Sequence, residues 1–126
     1  MSNIFEIKDN DSQESIKVIL AGDYLDVEFK GSKLAVRKQV YIYTDFPALI
    51  QYFENVRLGI ESKRTDIARW ASIEDDFVLV SKFTNTGNVN ISAALQDLEE
   101  NWSTSIGLTL ALSDIDGLLL EMKRFS

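Results

Sequence analysis

The acidic side chains of this chain come in clusters, the raw material for calcium binding, acid–base catalysis or a surface that attracts a basic partner. The clusters are Asp9 with Asp11, Asp23 with Asp26 and Glu28, Glu74 to Asp76, Asp97 with Glu99 and Glu100, and Asp114 with Asp116. Asp-Asn-Asp-Ser-Gln-Glu from Asp9 opens somewhat like a calcium loop of the EF-hand kind, in which aspartates two apart ligate the ion. The likeness ends quickly: the sixth position is Glu14 instead of glycine, and the twelfth is Leu20 instead of a bidentate glutamate. The run is explained by the preference of Asp and Asn for turns, and no cofactor or metal is expected. A second chemistry open to carboxylates is glycoside hydrolysis, which needs two of them across a cleft. Trp70 and Trp102 as stacking groups, with Glu74 as the acid, give an alternative reading as a small-ligand or carbohydrate-binding or hydrolytic domain. No spacing in the sequence demands it.

Much other chemistry is missing from the inventory. The chain has no histidine and no cysteine, which removes the commonest general base, thiolate nucleophiles, thiolate metal sites and any Ser-His-Asp arrangement. Ser72 lies between Trp70 and Glu74, but a serine nucleophile without histidine needs a lysine base, for which no motif is present. Glycines are isolated, with neither a dinucleotide-binding fingerprint nor a phosphate-binding loop. The expectation is therefore a protein that is not an enzyme. Thirteen Lys and Arg against 20 Asp and Glu leave a net charge of -7. Such a surface is repelled by nucleic-acid phosphates and by anionic membranes and attracted to basic proteins.

Positioning these residues requires regular elements, and the apolar pattern supplies them. Ile16, Val18 and Leu20 alternate, as do Leu25, Val27 and Phe29 after the Gly22-Asp23 turn, which together read as a hairpin. With a short strand at Asn3 to Lys8 and a long one through Leu34, Val36, Val40 and Ile42, the first part is a meander of four strands. Its last strand turns Arg37, Gln39, Tyr41 and Tyr43 to the other side. The period then changes to that of a helix, with Phe46, Leu49, Ile50, Phe53, Val56 and Ile60 on one stripe. Asp45 is expected to cap it, and Pro47 fits its first turn.

From Ile67 the alternation returns. Ile67 to Ile73 is a strand carrying Trp70, and Glu74 to Asp76 form an acidic turn. Phe77 to Phe83 and Val89 to Leu95 are joined through Asn85-Thr86-Gly87-Asn88, and Asp97 to Asn101 form another acidic turn. Trp102 to Leu112 is the most regular half-buried strand. A last helix is expected from Ser113, capped by its hydroxyl with Asp116 three residues on, and with Ile115, Leu118, Leu119, Met122 and Phe125 as its apolar stripe. The expectation is a single α+β domain over residues 1–126 in the order ββββαββββα. Its sheet is largely antiparallel, with two amphipathic helices on one face. The pattern does not decide between one sheet and two. The N-terminus lacks the features of a secretory signal, so the cytoplasm is the expected location. An exposed edge strand, or the small polar face of the Trp102 strand, offers a route to a homodimer.

The run W-A-S-I-E-D-D-F-V-L-V, followed by T-G-N-V-N-I-S-A-A-L and an alternating strand leading into a helix, resembles small bacterial immunity proteins of wall-associated contact-dependent toxins and related uncharacterised domains. The resemblance covers about Asp45 to Phe125, with Trp70, Ser72, Glu74, Leu79, Gly87, Val89 and Leu95 at matching positions. It implies a binding protein that neutralises a basic toxin domain by covering it. The acidic charge suits fast association with such a partner. The interface residues expected on this reading are the turn acids Glu74, Asp75, Asp76, Asp97, Glu99 and Glu100.

Overall fold

A computed structural model describes residues 3–124, and their elements follow the order ββββαββββα. Strands β1 (Ile4–Lys8), β2 (Ser15–Ala21), β3 (Tyr24–Lys30) and β4 (Ala35–Tyr41) form one antiparallel sheet in that order. Strands β5 (Ile67–Ala71), β6 (Phe77–Phe83), β7 (Asn88–Asp97) and β8 (Trp102–Ala111) form a second. The α+β class and the antiparallel pairing are as the alternation required, and the chain makes two sheets of four strands. Helix α1 (Phe46–Glu61) links the sheets, and α2 (Leu112–Lys123) closes the chain. The two helices touch each other; α1 packs on β5, β6 and β7, and α2 lies between β1 and β8.

One core joins all of it. Phe5, Ile7, Ile16, Val18, Leu25, Val27 and Phe29 point inward from the first sheet. They meet Phe77, Leu79, Val89, Ile91, Leu95 and Leu108 from the second, with Phe53 and Val56 of α1 and Ile115 and Met122 of α2 completing the same cluster. Phe29 and Phe77 meet edge to face across the sheets with ring centroids 6.1 Å apart, a geometry worth about 1 kcal/mol beyond the area it buries. The β1–β2 loop fastens the edge of β8. The Asn10 N–H donates to the Thr109 carbonyl at 3.1 Å, and the Thr109 N–H donates to the Asp9 carboxylate. Asp9 is thus spent on the fold: burial pushes its carboxyl up, but hydrogen bonds from Ser12, Thr109 and Asp11 outweigh that and hold it below its usual value.

Helix ends depart from expectation. Asp45 makes no side-chain cap; the start of α1 is satisfied instead by the Asp45 carbonyl, which accepts from Ala48 and Leu49. Helix α2 begins one residue before Ser113, and its cap is Asp114, whose carboxylate accepts from the Ala111 N–H at 2.8 Å. The strand runs straight into the helix, so the first acid that can turn back to the orphan N–H takes the role. Phe125 lies outside the described residues.

Candidate functional site

The β5–β6 turn, where a tryptophan, a serine and three acids crowd together, is built from the inside outward. Trp70 is buried and stands edge on to Phe77, centroids 5.5 Å apart. Ser72 is also buried, and its hydroxyl donates to Asp76 Oδ1 at 2.5 Å while accepting from the Phe77 N–H at 3.0 Å. Asp76 is only 6% exposed. Its other oxygen lies 3.3 Å from Lys38 Nζ, and the same ammonium is 3.9 Å from Asp97. Lys38 projects from the inner side of β4, so this three-charge group ties the first sheet to the ends of two strands of the second. A lysine on a core-facing position is expensive unless paired, and the two aspartates answer it.

Asp76 and Asp97 therefore correct the expectation drawn from the turn acids. Both are expected at an exposed interface, but Asp76 is buried and Asp97 partly buried, and both pair with Lys38. Asp97 also accepts from the Glu99 and Glu100 N–H groups at 3.0 Å each, shaping the β7–β8 turn. The remaining four, Glu74, Asp75, Glu99 and Glu100, are exposed. Among the described residues their carboxylates form no ion pair and accept no hydrogen bond. Asp75 holds a left-handed backbone, φ 57°, at the tip of its turn.

The structure brings the two acidic turns together. The Gln96 N–H donates to the Asp76 carbonyl and the Gln96 side-chain amide to the Asp75 carbonyl, both at 2.9 Å. Acids more than twenty positions apart in sequence thus occupy one end of the second sheet. Each turn also offers an exposed apolar residue, Ile73 in the first and Leu98, 81% exposed, in the second.

Beside this end lies a feature that the acid count missed. Tyr24 and Tyr41 are directly opposed across β3 and β4 on the outer side of the first sheet, rings edge to face at 5.3 Å. Tyr43 lies 6.4 Å beyond Tyr41. Tyr24 is 40% exposed and Tyr43 51%. Tyr43 has φ 51°, unusual for a bulky residue; its N–H and that of Ile42 both donate to the Asp23 carbonyl. Burial pushes the Tyr41 hydroxyl up, aided by the charges of Asp23 and Glu74 and by its tyrosine neighbours. Tyr24, Tyr41, Gln39, Lys38, Glu74 and Asp76 line a shallow depression of about 270 Å³. The signal was legible as two tyrosines, Tyr41 and Tyr43, on the solvent side of a strand otherwise lined by Arg37 and Gln39.

The cleft of the alternative reading is not formed. Trp70 and Trp102 stand on β5 and β8, the opposite edges of one sheet, three strand spacings or about 14 Å across it and offset along the strands as well, since Trp70 is level with Ile106. Trp70 is in the core, Trp102 is packed against it from the far side, and Glu74 turns toward the tyrosines.

By sequence the chain matches no known protein family and no curated protein. By structure it is similar to MRP1/MRP2 of a trypanosome, known from crystal structures. The TM-score is 0.55 at 8% identity, covering 98% of this chain and 83% of the other. At that identity the likeness is one of fold. No helix among the described residues is long and apolar enough to cross a membrane.

Proposed function

We propose that this chain is a non-enzymatic binding domain of the immunity type, which neutralises a basic toxin domain by covering it. The observation that carries the reading is the joining of the two acidic turns through Gln96, with Glu74 beside Tyr24 and Tyr41. The turns expose Ile73 and Leu98 and the acids Glu74, Asp75, Glu99 and Glu100, whose carboxylates have no partner among the described residues. Protein interfaces favour aromatic anchors that are stiff and amphipathic. Unpaired carboxylates around them steer a cationic partner and raise its association rate. A chain of net charge -7 adds the same attraction at longer range. The class of partner is what the sequence resemblance over about Asp45 to Phe125 implies.

The test is co-purification with the toxin domain encoded beside this gene. A stable pair is expected at low salt, with the association rate falling as salt rises. Replacing Glu74, Asp75, Glu99 and Glu100 together by Gln or Asn is expected to slow association at least tenfold, with the melting temperature unchanged. No complex at low salt with any neighbouring gene product would refute the proposal.

A further inference from the structure

The depression between the tyrosines and the β5–β6 turn is more selective than a general attraction for positive charge. We infer that it takes an arginine side chain of the partner, and that arginine is preferred there over lysine. The inference rests on the binding-domain reading above and specifies what that surface recognises.

Three features of the depression converge. Its wall is the edge-to-face pair Tyr24 and Tyr41, flanked by Tyr43. A planar guanidinium stacks on a tyrosine ring, whereas an ammonium interacts with it as a compact, strongly hydrated point charge. Its rim is Glu74, which lines the depression with Tyr41 and whose carboxylate has no ion-pair or hydrogen-bond partner among the described residues. A carboxylate offers two oxygens to the forked donors of arginine. Its floor is Lys38 with Asp76, which pair with each other, so among the described residues that line the depression Glu74 is the charge without an ion-pair partner. Gln39 adds an amide oxygen that can accept another guanidinium N–H. The space, about 270 Å³, suits the end of one side chain and is too shallow for a ligand enclosed on all sides.

Tyr43 adopts a left-handed backbone where its N–H and that of Ile42 both donate to the Asp23 carbonyl, and it remains half exposed. The ring it positions extends the aromatic wall beyond Tyr41.

The test compares two synthetic peptides of equal length and charge, one with arginines and one with lysines spaced by glycine and serine. Binding to the full chain is measured by titration calorimetry at low salt. The arginine peptide is expected to bind about fivefold more tightly. Tyr41→Leu should abolish that preference while leaving the lysine peptide's affinity nearly unchanged, and Glu74→Gln should weaken both. Equal affinities would overturn the arginine inference and leave the basic-partner reading standing. A preference that survives in both Tyr41→Leu and Tyr24→Leu would overturn the assignment to this depression. Absence of binding by either peptide would count against both. Near-ultraviolet circular dichroism on each variant establishes that the fold is retained.

Discussion

Buried Tyr52 and Ser81 show how much one polar contact can carry. The hydroxyls of Tyr52, on α1, and Ser81, on β6, are hydrogen-bonded inside the core. Burial pushes the Tyr52 hydroxyl up to about 12, with the Ser81 bond acting in the opposite sense. Because the folded value is raised above the ordinary value near 10, the unfolded chain loses its proton first. The stabilisation is complete below pH 10 and is lost as pH rises from 10 to 12. Over those two units the loss attributable to Tyr52 is about 2–3 kcal/mol. Urea melts of the wild type and of Tyr52→Phe between pH 8 and 11.5 check it: the wild type should lose more stability with pH than the variant. Asp76 is a second such position. Asp76→Ala leaves Lys38 half buried with only the longer Asp97 contact and strands the Ser72 hydroxyl. A loss of about 3 kcal/mol is expected in chemical denaturation.

At the scale of an element, the same substitution has opposite signs in the two helices. A Cβ at Gly59 of α1 would fall 2.3 Å from the Phe83 ring, which itself packs beneath Arg64, 5.5 Å from its centroid. Helix propensity favours alanine by about 1 kcal/mol, but the partly buried ring, packed against the core, has to be displaced, and overpacking costs about 1–3 kcal/mol. Gly59→Ala is thus expected to lower stability. At Gly117 of α2 an added Cβ meets nothing within 4 Å, so propensity alone acts. Gly117→Ala should gain about 0.5–1 kcal/mol. Paired denaturation curves decide both, and a gain at Gly59 would mean that the Phe83 ring yields freely.

Across the whole molecule, the two sheets should melt as one. Both tryptophans belong to the second sheet, so their fluorescence reports that half, while far-ultraviolet circular dichroism reports every element. The shared core, the Phe29–Phe77 contact, the Lys38 group and the Asp9–Thr109 bond all cross between the halves. Coincident transitions by the two probes are expected; a separate transition of the first sheet would show that these links are weaker than the packing within each sheet. The acidic surface also belongs to this scale, since it depends on the two turns being joined through Gln96 and on β3 and β4 presenting their tyrosines beside them.

The sequence by itself determined the class, the order of elements and nearly all the core, because alternation and helical periodicity are local properties that tertiary packing only reinforced. Strand β6 matches its predicted span, Phe77 to Phe83, and the absence of histidine and cysteine limited the chemistry before any fold was known. Element ends were less legible: at α2 a cap was expected from Ser113 and came from Asp114, since a strand running straight into a helix shifts the start by one residue. What only the tertiary structure decided was which acids are free. Glu74, Asp75 and Asp76 are consecutive and alike in sequence, yet Asp76 is committed to Ser72 and Lys38 while its neighbours face solvent. The division is made by an ammonium on β4, nearly forty positions away, because a partly buried charge must find its counter-charge in space. The same distance in sequence hid the tyrosine pair beside Glu74, and with it the surface proposed to hold a partner.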